Sequence, residues 1–308
     1  MTENFTENIS CPICGEDKFA VLQESRYPVD LSRDRLVDVF RSSSDTKLLD
    51  QLVSCSGCNL IYLNPRISSD IIIDSYAGGH DPRFAAQNAM RIRSFRKCFR
   101  NWLRHFGVTA SSDRKALDIG CAAGAFPKVA HEFGFSAVGV EPSLYLSQWA
   151  REEYKLDIRS GTLQEQNFPD REFDLVTLWD VIEHLGDPPE VLNEISKILK
   201  DDGYLIVNFP AYASWPRKLM GMKWPFFLSV HLFYFTIDSI SALLEKCGYF
   251  MLDARPYYQT LELGYILERA THIFPLLRFP KRIVDLLGLG GIPITYYLGQ
   301  TLVTARKR

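Results

Sequence analysis

Leu117-Asp118-Ile119-Gly120-Cys121-Ala122-Ala123-Gly124 is the stretch on which the fold reading turns. An apolar run ends in a carboxylate and passes into a loop of small residues, which opens a helical pattern, FPKVAHEFG at 126–134. Glycine permits the tight turn, and small side chains let backbone amides approach a ligand. Outward from this point strands and helices alternate. SAVGVEP (136–142) reads as a strand and 143–155 as a helix. FDLVTLWDVI (173–182) reads as a buried strand running into a turn, and PEVLNEISKILK (189–200) as an amphipathic helix. YLIVNFP (204–210), the helix TIDSISALLEKCG (236–248), YFMLDARPY (249–257) and TYYLGQTLVTARK (295–307) continue the rhythm. Such alternation implies a mostly parallel sheet covered by helices on both faces.

An open sheet of this kind binds ligands beyond the carboxyl ends of its strands. A dinucleotide site would show G-x-G-x-x-G, with a pyrophosphate on the helix N-terminus. Here the spacing is Gly120-x-Ala122-x-Gly124 with Asp118 in front, and that carboxylate would repel a pyrophosphate. It suits a ligand carrying an ammonium group, and S-adenosylmethionine meets that requirement. Glu141, at the end of the next strand, stands where a carboxylate can accept both hydroxyl hydrogens of a ribose.

With these motifs in order, the chain resembles the class I methyltransferase family. ALDIGCAAGAF is similar to its first motif, VGVEPS to its second, and FDLVTLWDVIEHLGDP to its fourth-strand motif. LKDDGYLIVNFP and the closing GQTLVTARK match later elements. The resemblance implies an α/β fold, a Rossmann-like seven-stranded mostly parallel sheet with helices on both faces. It implies that Asp118, Gly120, Ala122 and Gly124 line the methionine part of the cofactor. Glu141 would hold the ribose, Thr162 and Leu163 flank the adenine, and Trp179 and Asp180 border the sulfonium. Many members have glycine where this chain has Ala122, and alanine fits there only with negative φ.

Four of the seven cysteines form two C-x-x-C knuckles, Cys11/Cys14 and Cys55/Cys58. In a reducing compartment that spacing points to metal rather than disulfide, and four thiolates would close a structural Zn²⁺ site. The insert between the pairs, residues 15–54, must fold back on itself as strands or loops. Redox-active dithiols and unpaired buried cysteines are the competing readings. A group of bacterial methyltransferases looks similar here, opening with CPxCG and continuing to a "YLNPRP"-like strand. Many of that group act in surface-polysaccharide, sugar or related metabolism. The expected division is a zinc-binding module at 1–65, a helical connector at 66–112 and a methyltransferase domain at 113–308, with insertions at 211–235 and 264–291.

Methyl transfer from a sulfonium is an in-line displacement that needs an aligned nucleophile and, for a hydroxyl, a proton acceptor. His184, just past the fourth strand, suits a general base; a histidine that only caps or packs the next helix is the competing reading. His231, in an HLxxF-like element, faces the acceptor or fixes its loop. Tyr76 and His80 are weaker candidates for a cover. Glu183, His184 and His231 could share a metal, but the sequence offers no further ligand. The aromatics of 211–235 stack on a ring or form core. Arg91, Arg93, Arg96, Lys97, Arg100 and Arg104 line one helix, either as a solvated face or as a contact for a phosphate. Segment 264–291 packs as lid or homodimer contact, or touches a membrane peripherally.

The 308 residues are 46% hydrophobic and 23% charged, with net charge −2. That balance argues against a nucleic-acid partner. The amino terminus lacks a secretory pattern and no apolar run reaches about 18 residues, so a cytoplasmic protein is expected. The expected activity is S-adenosylmethionine-dependent methylation of O or C on a small acceptor, a sugar, nucleotide sugar or glycan. A quinone or phenol is the alternative acceptor. The rivals of another class are an RNA-binding methyltransferase and an inactive S-adenosylmethionine-binding module.

Overall fold

The computed structural model describes residues 5–27, 33, 36, 46–68, 71, 72, 75 and 82–308; Tyr76 and His80 lie outside them. Its N-terminal part contains strands β1 (Thr6–Glu7), β2 (Phe19–Gln23), β3 (Leu52–Cys55), β4 (Ile61–Leu63) and β5 (Arg66–Ile67). Helices α1 (Pro82–Ala86) and α2 (Asn88–Phe106) lead into β6 (Lys115–Ile119), α3 (Ala125–Glu132), β7 (Ser136–Glu141), α4 (Leu144–Tyr154), β8 (Asp157–Ser160) and β9 (Phe173–Trp179). Next come α5 (Pro188–Ile198), β10 (Leu199–Pro210), α6 (Trp215–Met220), β11 (Phe233–Tyr234), α7 (Ile237–Lys246) and β12 (Tyr249–Pro256). The chain closes with β13 (Gln259–Glu262), α8 (Leu263–Ile273), α9 (Arg278–Leu286), β14 (Pro293–Tyr296) and β15 (Gln300–Lys307).

The main sheet has seven strands in the order β12-β15-β10-β9-β6-β7-β8. Within it β15 runs antiparallel to β10 and β12, and the other pairs are parallel. The seven-stranded mostly parallel sheet is therefore as expected. Strand order reverses at β6, which lies between β7 and β9, and a crevice opens at such a switch point. β9 is buried along most of its length, as a central parallel strand must be.

Local chemistry sets the helix ends that face this crevice. Ser143 caps α4 by accepting from the Leu146 amide at 3.3 Å. Asp187 caps α5 by accepting from the Glu190 amide at 3.0 Å, with Pro188 as the first helical residue. α2 buries Ile92, Phe95, Phe99, Trp102 and Leu103. Phe99 packs against Phe126 of α3 with ring centroids 5.3 Å apart.

A second sheet, β11-β4-β3-β2, is antiparallel. β2 and β3 are the fold-back required between the cysteine knuckles. β11 comes from segment 211–235, so this segment completes the amino-terminal sheet. Trp224, Phe227, Val230, Leu232, Phe233, Tyr234 and Phe235 are all buried, so most of its aromatics are core. Segment 264–291 folds as the hairpin α8–α9, none of whose residues is fully buried.

Candidate active site

The carboxyl edges of β6, β7 and β9 open into one cavity of about 1260 Å³. Asp118, Gly120, Ala122, Glu141, Thr162, Leu163, Trp179, Asp180, His184 and His231 all line it. Gly124 does not. It is the residue before α3, at φ +71°, and a Cβ there would lie 2.9 Å from the Ala150 side chain, so its lack of a side chain serves helix packing. Gly120 is held at φ +67°, and a Cβ there would meet Val181 Cγ2 at 2.6 Å.

Ala122 corrects an expectation. Its φ is +47°, in the left-handed region rather than the negative one. The conformation costs an alanine roughly 1–2 kcal/mol. The Ala122 amide donates to Glu141 Oε2 at 2.8 Å, which ties the strained residue to the neighbouring strand. Glu141 Oε1 accepts from the Ser143 amide at 2.8 Å. Each oxygen keeps a lone pair for a further donor. Burial raises the Glu141 carboxyl to about 7, against the pull of those two amides.

Asp118 is buried, and its Oδ1 accepts from the Thr177 hydroxyl at 2.6 Å. Burial, with Glu141 nearby, raises its carboxyl well above the usual range. Thr162 and Leu163 follow β8; the Glu165 carboxylate accepts from the Thr162 amide at 2.6 Å and so fixes the turn. Trp179 stands among Phe95, Phe126 and Tyr257, with centroids 4.7, 5.2 and 5.3 Å away.

Asp180, at φ +53°, is pinned by side-chain amides. Asn208 Nδ2 donates to it at 2.8 Å and Gln300 Nε2 at 2.9 Å. Burial raises its carboxyl to about 6, opposed by Gln300, by Arg91 and by Asn208. The sequence reading missed Asn208 and Gln300. The available signal was a polar residue inside the buried strand YLIVNFP and another opening the last strand.

Arg91 leaves its basic neighbours and turns into the cavity, where its Nη1 donates to the Phe84 carbonyl at 2.6 Å and its guanidinium covers the Phe84 ring at 3.6 Å. Arg269, Tyr265 and Tyr296 also line the cavity and act electrostatically on Arg91. Arg269 Nη1 donates to the Tyr265 hydroxyl at 3.0 Å. Arg93, Lys97, Arg100 and Arg104 stay on the exposed face, and Arg96 pairs with Glu132 at 2.7 Å.

Beyond Asp180, a single helical turn carries Glu183 and His184. His184 Nδ1 donates to the Val230 carbonyl at 2.8 Å, and His231 Nδ1 to the Phe226 carbonyl at 2.8 Å. Burial lowers His184 to about 4 and lowers His231 as well, so both rings are neutral.

The knuckles meet as the spacing required. Cys11 and Cys58 sulfurs are 3.5 Å apart and Cys14 and Cys55 sulfurs 3.4 Å, with all four within 4.8 Å of one another. A tetrahedral zinc with Zn–S near 2.3 Å would space sulfurs about 3.8 Å apart, so the set fits such an ion. The Gly57 amide donates to Cys55 Sγ at 3.3 Å, as thiolate ligands require.

The profile of a methyltransferase domain matches residues 90–253. The ubiquinone biosynthesis O-methyltransferase of Azorhizobium caulinodans is 31% identical over 34% of this chain and 46% of its own length. The C-methyltransferase NovU of Streptomyces niveus is 25% identical over 79% of this chain and 56% of its own. The chain thus spans about half the length of these curated relatives. Among solved structures, a chain of the complex between the Haloferax volcanii Trm112 methyltransferase activator and a methyltransferase superposes with TM-score 0.50 at 15% identity, over 74% of this chain and 99% of that one. That likeness is one of fold. The domain profile covers more than half of the sequence, and the chain belongs to the methyltransferase-domain family.

Proposed function

We propose that this protein moves the methyl group of S-adenosylmethionine to an oxygen or carbon of a small carbohydrate acceptor that carries an anion, such as a nucleotide sugar. The observation that carries this reading is the division of charge within one cavity. Asp118, Glu141 and Asp180 make the sheet edge acidic, which suits a sulfonium, an ammonium and ribose hydroxyls. Arg91 and Arg269, with Tyr265 and Tyr296, make the side beneath α8 basic, which suits a phosphate. The likeness to a C-methyltransferase supports carbon as the target atom, and that to an O-methyltransferase supports oxygen.

In the proposed reaction an oxygen lone pair, or the enolate pair of a carbon acceptor that has already lost its proton, attacks the methyl carbon in line with sulfur. The C–S bond breaks, its electrons return to sulfur, and S-adenosylhomocysteine leaves. For a hydroxyl acceptor the proton passes to His184, whose Nδ1–H is held by the Val230 carbonyl. Neither the His184 nor the His231 ring is charged beforehand, so neither repels the sulfonium. The cysteine knuckles would hold a structural Zn²⁺, keeping β3 and β4 in place to receive β11 and the His231 loop.

α9 supports a peripheral contact with an anionic membrane. Phe279 and Leu286 of α9 and Leu276 of the turn before it are 72%, 86% and 91% exposed, and Arg278, Lys281 and Arg282 flank them. Phe274 and Leu277, in the turn between α8 and α9, line the cavity, so a lipid-borne acceptor could enter there. No helix among the described residues is long and apolar enough to cross a membrane.

The test is transfer from methyl-labelled cofactor to a panel of nucleotide sugars, neutral sugars and phenols. Label in nucleotide sugars, lost about tenfold or more in Arg91→Ala, is the expected result. Label only in neutral sugars or phenols would overturn the anionic-acceptor reading. His184→Ala should lower turnover about tenfold or more with cofactor affinity unchanged.

A further inference from the structure

α2 opens on a buried asparagine whose side-chain oxygen lacks a donor. Asn88 is 2% exposed and lines the cavity. Its Nδ2 donates to the Ala123 carbonyl at 2.5 Å and to the Tyr154 hydroxyl at 3.1 Å. Both amide hydrogens are thereby used, and because a carbonyl only accepts, the nitrogen is the atom that faces Ala123. Oδ1 is left buried, and no donor among the described residues reaches it. A buried carbonyl oxygen in that condition is costly, and such groups ordinarily have a partner.

Neighbouring contacts fix where that oxygen stands. The bond to Ala123 holds Asn88 against the loop after β6, whose Gly120 and Ala122 line the same cavity together with Asp118. On the other side, Gln87 Nε2 donates to the Glu262 carboxylate at 2.9 Å, and Gln87 Oε1 accepts from the Glu262 amide at 3.3 Å. That pair ties the start of α2 to the residue preceding α8. Asn88 is therefore held in place before any ligand arrives, which is what a binding group requires.

We propose that Asn88 Oδ1 accepts a hydrogen bond from the α-ammonium of the bound sulfonium amino acid. This deepens the proposed function and rests on its cofactor reading. An atom that only accepts requires a donor on the ligand. In the methionine part, expected at this loop, the ammonium is the donor; the ribose hydroxyls and the adenine amino group belong to Glu141, Thr162 and Leu163. An ammonium has three hydrogens to give. Asp118 supplies it with charge, but Asp118 Oδ1 already accepts from Thr177. Asn88 adds an acceptor with no competing donor and no further negative charge beside Asp118 and Glu141. It lies just before the stretch matched by the domain profile, 90–253, and carries no motif of its own.

Two ligands that differ only in the ammonium test it on the full chain: S-adenosylhomocysteine and its desamino analogue, each titrated calorimetrically. The wild type should prefer S-adenosylhomocysteine, and Asn88→Ala should reduce that preference about tenfold or more. Asn88→Leu, close in volume and without an acceptor, gives the same reading should the alanine variant fail to fold. A loss of affinity shared equally by the two ligands would assign Asn88 to fixing the loop alone and overturn the proposal, as would a preference that the variants leave unchanged. Equal affinity of the wild type for both ligands would overturn it without any variant. A wild-type chain that binds neither ligand would instead remove the cofactor reading on which the proposal rests.

Discussion

Glu141 and Ala122 form one unit: a buried carboxylate holding the amide of a left-handed alanine. Glycine at 122 removes the left-handed penalty of about 1–2 kcal/mol and adds about 0.5–1 kcal/mol of chain entropy to be lost on folding. Ala122→Gly should therefore stabilise the protein by about 0.5–1 kcal/mol in chemical denaturation; a loss of 1 kcal/mol would mean the turn is unstrained. Glu141 also predicts a pH dependence. Its folded value, about 7, lies above its ordinary 4.5, so the folded state binds the extra proton. Stability from this group is full below about 4.5 and is lost as pH rises through 7. Cofactor affinity runs the other way, because only the carboxylate accepts two hydroxyls. The dissociation constant should fall about tenfold between pH 6 and pH 8. Glu141→Gln should remove most of that slope, leaving what Asp180 contributes; a flat wild-type profile would contradict the role. That Asp118 and Glu141 stand at the cavity end of β6 and β7 was legible in sequence because local spacing encodes it. The sign of φ at Ala122 was not, since it depends on a hydrogen bond to another strand.

At the scale of elements, β11 decides how the two sheets communicate. It is two residues long, yet it pairs with β4 and is followed by the capping box of α7. Phe233 is buried and stacks on Phe235 and Tyr62. Phe233→Ala should cost about 3–5 kcal/mol. It should also slow methyl transfer, because His231 is carried by the residues just before β11. A variant destabilised by that amount with unaltered turnover would uncouple the two sheets. Removing the metal expected at the cysteines, by Cys55→Ser, should act on turnover through the same strand. The strands and helices of the main sheet could be read from periodicity, since each pattern is local. β11 could not, because its partner lies far away in sequence and two residues carry no period. Arg91 shows the same limit. Its residue type marked it as surface, but it sits beside the Ile92–Phe95 stripe that turns α2 inward, and only packing showed it facing the cavity.

For the whole molecule, charge and exposure divide the surface into working regions. If α9 lies on a membrane, Phe279→Glu combined with Leu286→Glu should abolish co-sedimentation with vesicles rich in anionic lipid, leaving melting temperature and cofactor affinity unchanged, since both side chains are exposed. Equal sedimentation of variant and parent would remove the membrane from the account, and loss of self-association instead would assign the face to a second copy of the chain. In the proposed function the central element is one cavity, whose edge carries Asp118, Glu141 and Asp180 and is expected to hold a sulfonium nucleoside. Calorimetric titration of the folded full chain with S-adenosylmethionine reads that directly. The account expects one equivalent bound per chain, weakened in Glu141→Ala by about 1.5–3 kcal/mol, roughly ten- to a hundredfold. No saturable binding to the folded protein, or a Glu141→Ala variant that binds as tightly as the parent, would contradict it.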